Sequence, residues 1–154
     1  MAMVRRVFFD TSVLLAGLVD FGPASRHAFV AMGALAGGRV AQACTAWHCC
    51  LEFYSVGTRL PEEYRLSPAD AMALLEDGVF PRFEIGGLPG SRGREFLRRA
   101  ARDKIVGGRI YDEHIGEVAL HMKAGVIVTE NRRHFGSLLR HDIRVLSAKE
   151  FVSE

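Results

Sequence analysis

The chain is poor in cysteine: three in 154 residues, and Cys44, Cys49 and Cys50 have no framework spacing. That excludes a disulfide-stapled scaffold and fits a reducing compartment. His48-Cys49-Cys50 with Cys44 also lacks the paired spacing of a zinc site, so core thiols are the simpler reading. Long hydrophobic runs are absent too, and nothing is long enough to span a bilayer. Arg5-Arg6 followed by Val7-Phe8-Phe9 imitates a signal peptide, but Asp10 breaks the run. An aspartate at mid-membrane costs about 2.5–3.5 kcal/mol, and no small-residue cleavage site follows. A cytoplasmic protein without membrane contact is expected. Neither sign of charge dominates, with 20 Lys+Arg against 18 Asp+Glu. Placement of charge therefore matters more than its sum. Gly-x-Ser-x-Gly and Gly-x-x-x-x-Gly-Lys do not occur, which removes the signatures of a nucleophile elbow and a P-loop.

What is present is one domain's worth of alternating strands and helices over 1–154. Val4–Phe9 reads as a buried strand and Thr11–Val19 as a short helix. A second helix runs over Arg26–Ala36, a short strand over Arg39–Ala43, and a third helix to about Arg59 with Thr45 as N-cap. Ser67-Pro68-Ala69-Asp70 starts a fourth helix. Val79–Ile85 is a weak strand, Gly86–Gly93 a flexible loop, and Arg94–Val106 and Tyr111–Ala124 are helices. Val126–Thr129 and Ile143–Leu146 are strands flanking a short helix over Arg132–Leu139, and Ser147–Val152 is a tail element. The alternation predicts an α/β fold: a three-layer α/β/α sandwich on a mainly parallel sheet.

In such a sheet, ligands bind where strands end and the next helices begin. Asp10 ends the first strand, and Asp112 opens an apolar helix shortly before the strand over Val126–Thr129. Each has an alternative role at a helix N-terminus, Asp10 as cap and Asp112 against the dipole. Glu52 lies among Trp47, Cys49, Cys50, Leu51, Phe53, Tyr54 and Val56, where a carboxylate needs a partner. Arg59 is the plain candidate; a functional site is the other. Gly116 shares a helical face with Asp112 and would leave room for a ligand. Glu113 and Glu117 fall off that face and are expected in solvent, as are His134 and His141. Asn131 offers a neutral oxygen on the same rim or simply caps the next helix, and Glu130 should point away.

Phe8-Phe9-Asp10-Thr11-Ser12, Leu51-Glu52, Tyr111-Asp112 and Val128-Thr129-Glu130-Asn131-Arg132-Arg133-His134-Phe135 together resemble the PIN-domain family, and within it the VapC-like ribonuclease toxins. The resemblance spans nearly the whole chain. It implies a parallel-sheet α/β/α sandwich and a Mg²⁺ or Mn²⁺ held by Asp10, Glu52 and Asp112, with Thr11 or Ser12 in support. A fourth acid in that family falls where this chain has Asn131, and losing that charge should weaken binding of a divalent ion by a few kcal/mol at an effective dielectric of about 20. The resemblance also implies a homodimer and a protein antitoxin.

On this reading Asp10 and Asp112 anchor the cation, Glu52 holds or orients a water, Asn131 fixes a water or a second weak metal, and the general base is unassigned. Three adjacent carboxylates require a cation to stay ionised together. RNA would be met by basic residues between the site motifs: Arg98, Arg99 and Arg102 in one helix, Arg132 and Arg133 beside the fourth motif. A solvated helix face is the alternative for such a run. Apolar residues on the early helices (Leu14, Leu15, Leu18, Phe29, Met32) could meet a partner or fill the core. A haloacid-dehalogenase-type phosphatase would need an aspartate where Ser12 stands. A catalytically weakened module that binds RNA or a protein partner remains the alternative function.

Overall fold

The computed structural model describes residues 6–38 and 42–154. Five strands, β1 (Arg6–Phe9), β2 (Ala43–Ala46), β3 (Glu84–Gly86), β4 (Ala124–Val128) and β5 (Arg144–Leu146), form one parallel sheet in the order β3-β2-β1-β4-β5. β1 is central, with Val7 opposite Ala43 on one side and Val126 on the other. Its apolar run needs no polar alternation because both faces are covered. Phe8 and Phe9 are fully buried.

Among the described residues, seven α-helices flank the sheet: α1 (Thr11–Leu18), α2 (Arg26–Ala36), α3 (Trp47–Gly57), α4 (Pro68–Gly78), α5 (Gly90–Arg102), α6 (Arg109–His121) and α7 (Ala148–Val152). α1 packs on α2 and α3, α2 on α7, and α3 on α4. α6 packs on α5, on β2 and β4, and on a 3-10 segment, Arg132–His141, kinked at Phe135. The result is the expected α/β/α sandwich. Among the described residues, no helix is long and apolar enough to cross a membrane.

Two helix starts follow their sequence signals. Ser67 Oγ accepts from the Asp70 N–H at 3.0 Å, with Pro68 at the first helical position. Ser147 and Glu150 form a reciprocal capping box on α7. Other expectations need correction. Val4 and Arg5 of the first strand, and residues 39–41 of the second, lie outside the described residues. The second strand runs Ala43–Ala46, later than expected, so Thr45 is a strand residue and Ala46 the N-cap of α3. The buried Thr45 hydroxyl donates to the Phe9 carbonyl at 2.7 Å and ties β2 to β1. α5 begins at Gly90, absorbing half the expected loop, because burial of Phe96 and Ala100 outweighs the weak helix propensity of Gly90 and Gly93. Leu14 and Met32 are core residues; Phe29 is the exposed member of the early-helix set.

Candidate active site

The parallel order puts the ends of β1, β2 and β4 on one rim. Asp10 follows β1, α3 starts directly after β2, and Thr129 follows β4. The Asp10 N–H donates to the Val128 carbonyl at 3.0 Å, fixing the two exits side by side.

Asp10 is 4% exposed. It occupies the N-cap position of α1, yet its side chain makes no cap hydrogen bond. Its Oδ2 instead accepts from Thr129 Oγ1 at 2.7 Å and Ser12 Oγ at 3.0 Å. Those hydroxyls in turn accept backbone N–H groups, Glu130 on Ser12 Oγ and Asn131 on Thr129 Oγ1, both at 3.0 Å. One carboxylate thus organises the whole β4 exit. Burial pushes the Asp10 carboxyl above its ordinary range; the hydroxyls oppose that and nearby Glu52 adds to it.

Glu52 lies in the second turn of α3, half-buried, and Thr11 Oγ1 donates to its Oε1 at 3.0 Å. Its carboxyl is also raised, first by burial and then by the charge of Asp112, against the Thr11 bond. Arg59 is not its partner. One turn earlier His48 places Nε2 at 3.8 Å from Glu52 Oε1, while His48 Nδ1 and His114 Nδ1 share a hydrogen bond of 2.7 Å. Burial lowers the pKa of both imidazoles, and Asp10 and Asp112 pull His48 partly back.

Asp112 sits in the first turn of α6, half-buried, with Oδ2 at 3.2 Å from His134 Nδ1. His134 is exposed, as expected, and the 3-10 segment brings it within reach of Asp112. Asn131 is exposed at the head of that segment, and its side chain does not cap it. Glu130 does turn away, accepting from the Ala148 N–H at 2.9 Å.

Asp10, Glu52 and Asp112 are thus linked in series through space: the charge of Glu52 acts on Asp10 and that of Asp112 on Glu52. Among the described residues, no lysine or arginine pairs with any of the three acids. Nor are any three His, Cys, Asp or Glu side chains close enough, as they stand, to hold an ion together. The donor set nevertheless suits a hard cation: carboxylate oxygens with no fixed counter-charge, one of them buried. Glu52 and Asp112 are only half-buried. The three cysteines are buried and free, with Cys44 and Cys49 thiols pushed up to about 12 and Cys50 to about 11 by burial, so none is a nucleophile.

Beside Asp112 opens a cavity of about 590 Å³ between α5, α6 and the 3-10 segment, lined among others by Phe96, Arg99, Glu117, His134 and Arg140. Arg98 and Arg102 are exposed, whereas Arg99 is bound to Glu117 at 2.6 Å, which takes Glu117 out of solvent. Arg132 pairs with Glu150 at 2.8 Å, and Arg133 is exposed at a second opening shared with Arg109 and Asp112. Gly116 clears no ligand space, since a Cβ there would meet Leu138 in ordinary contact at 3.5 Å.

Thr129, His48, His114 and His134 escaped sequence reasoning as site residues. Only His48 carried a local signal, its i,i+4 spacing to Glu52 on one helical face.

Residues 6–133 match the family model for the PIN domain. Ribonuclease VapC27 of Mycobacterium tuberculosis is 37% identical over 92 residues, which are 59% of this chain and 64% of that protein, so the match spans under two thirds of the relative's length. A solved structure of FitAB bound to an IR36 DNA fragment contains a chain similar to this one with a TM-score of 0.61 at 12% identity, covering 92% of this chain and 94% of that one. At that identity the likeness is one of fold.

Proposed function

The chain belongs to the PIN domain family, and from that premise we propose that it is a metal-dependent endoribonuclease, the toxin of a toxin–antitoxin pair. The observation that carries the proposal is the convergence of Asp10, Glu52 and Asp112 on one rim with no lysine or arginine paired to them among the described residues. The likeness to a protein named a ribonuclease supports the choice of substrate.

Asp10 and Asp112 would anchor a Mg²⁺ or Mn²⁺, with Glu52 completing the set. When bound, such an ion supplies charge stabilisation at the scissile phosphate and lowers the pKa of the attacking water. Asp10 is prepared for this by Thr129 and Ser12, which fix its plane and leave it little rotational freedom to lose. Thr11 sets the reach of Glu52, which orients the attacking water. Asn131 presents an uncharged amide where a fourth carboxylate would stand, so it fixes water or a second ion only weakly. Arg98, Arg99, Arg102, Arg132 and Arg133 would take the RNA backbone, with Arg98, Arg102 and Arg133 the members not held in ion pairs.

Trp47, Leu51 and Tyr54 lie exposed along one stripe of α3, with Leu51 71% exposed. That stripe suits a second copy of the chain or a protein antitoxin. The three unpaired cysteines fit the cytoplasm.

Incubation of the purified protein with single-stranded RNAs in Mg²⁺ or Mn²⁺ tests the activity. Cleavage that disappears with EDTA and in Asp10→Asn, together with growth arrest on expression that the same substitution relieves, is the expected result. Lack of cleavage across many RNAs with either ion would favour the second reading, a weakened module that binds RNA or a protein partner. The feature favouring that reading is Asn131.

A further inference from the structure

The imidazole of His48 has no part in the scheme above, yet it stands beside Glu52 with its other ring nitrogen bonded to His114. We propose that His48 is a nitrogen ligand of the active-site cation, held in position by His114, and that it tilts the site towards Mn²⁺ over Mg²⁺. This inference rests on the metal-dependent reading given above.

Three observations carry it. His48 and Glu52 stand one turn apart on α3, with Nε2 and Oε1 separated by 3.8 Å. That gap is too long for a hydrogen bond but allows two donors to meet one ion. The other ring nitrogen is already engaged: Nδ1 lies 2.7 Å from His114 Nδ1. Two neutral imidazoles at that distance share a single N–H. When His48 is the donor, its Nε2 is the bare, basic nitrogen, and it is the one turned towards Glu52. A ligating histidine whose second N–H is held by a neighbouring acceptor is the usual arrangement at metal centres. Finally, the ring is held in place. Its edge-to-face partner Tyr111 lies at 5.7 Å, His114 at 5.0 Å, and Phe96 backs His114 at 5.7 Å.

The chemistry of the choice follows from the donor. Magnesium takes oxygen ligands and keeps its waters, whereas manganese, though also at home among carboxylates and the weakest binder of the first-row transition ions, accepts an imidazole nitrogen more readily than magnesium does. A neutral nitrogen on α3 would also offset part of the binding lost at Asn131, without adding the charge of a fourth carboxylate.

The test is spectroscopic and needs no turnover. Full-length protein loaded with one equivalent of Mn²⁺ is examined by electron spin echo envelope modulation, with Mn²⁺ and Mg²⁺ affinities measured by calorimetry. Directly coordinated ¹⁴N modulation is expected, replaced by a ¹⁵N pattern after ¹⁵N-histidine labelling, a check that requires no substitution. His48→Gln should abolish the modulation and weaken Mn²⁺ binding by about tenfold or more, with Mg²⁺ affinity changed less. His114→Gln, which disturbs only the orienting bond, should weaken Mn²⁺ by about tenfold, whereas His134→Gln should keep the modulation. Stoichiometric Mn²⁺ without histidine nitrogen modulation, or modulation that survives in His48→Gln, overturns the role of His48 and leaves the nuclease reading intact. If neither ion binds, both readings are overturned.

Discussion

Asp10→Asn should separate catalysis from stability in opposite directions. In the metal-free protein Asp10 is a carboxyl that folding has stripped of water, and that burial raises its pKa. The isosteric amide keeps an oxygen for Thr129 and Ser12 but converts two charge-assisted hydrogen bonds into neutral ones, a loss of about 1 kcal/mol each. Against that stands removal of a desolvated charge, whose effective penalty is several kcal/mol even after relaxation. The balance favours the variant by about 1–3 kcal/mol, which for a chain of this size is a Tm higher by roughly 3–10 °C. The pH dependence carries its own sign. The folded pKa of Asp10 is raised, so the native state holds its proton longer than the unfolded chain, and wild-type stability falls as pH rises from the ordinary value of 3.8 through the raised one. The advantage of Asp10→Asn should therefore be small in acid and grow as pH rises through the raised value. Adding Mg²⁺ or Mn²⁺ at about 100 times Kd returns about 2.7 kcal/mol to the wild type and little to the variant, closing or inverting the gap. Differential scanning fluorimetry with EDTA and with metal, at pH 4.5 and 7.5, measures all four states. A variant less stable than wild type in EDTA at pH 7.5 would refute the account of Asp10 as an uncompensated buried charge.

Three further outcomes follow from the same geometry. Thr129→Val preserves shape but removes the 2.7 Å bond to Asp10 and leaves the Asn131 N–H unpartnered, so denaturant titration should show a loss of about 1–3 kcal/mol; an unchanged midpoint would mean the hydroxyl does not organise the rim. Gly116→Ala should raise stability by up to about 1 kcal/mol through helix propensity, since its Cβ meets Leu138 at an ordinary 3.5 Å; a lower Tm would show that α6 has no room there. Arg98→Glu, at an exposed position, should weaken RNA binding and lower the slope of log K against log salt by about 1. Equal binding at low salt would remove α5 from the RNA path.

The sheet was legible where burial was two-sided. Val7-Phe8-Phe9 and Val126-Ile127-Val128 admit few other readings, and the acids and Asn131 that follow them stood out because a polar group after such a run must lie at an edge. β2 was misplaced because Ala43-Cys44-Thr45-Ala46 consists of small residues: the sequence offers a hydroxyl before a helix, and only the packing of β2 against β1 turns Thr45 inward to Phe9. Gly90 and Gly93 read as loop because their propensity is local while the burial of Phe96 is not. The same distinction divides the site. Asp10, Glu52 and Asp112 each conflict with their immediate surroundings, so each is visible alone. The partners that make them a site are ordinary residues where they stand. Thr129 is one more β-branched residue at a strand end, and His48 and His114 lie 66 positions apart. Their hydrogen bond joins the first two turns of α3 and α6, helices that meet only through the fold, which no window of sequence contains. A search for site partners in this fold should therefore start from helices that begin on the carboxyl rim of the sheet, pairing polar residues in the first two turns of each. Here that rule selects His48 and Glu52 on α3 with Asp112 and His114 on α6.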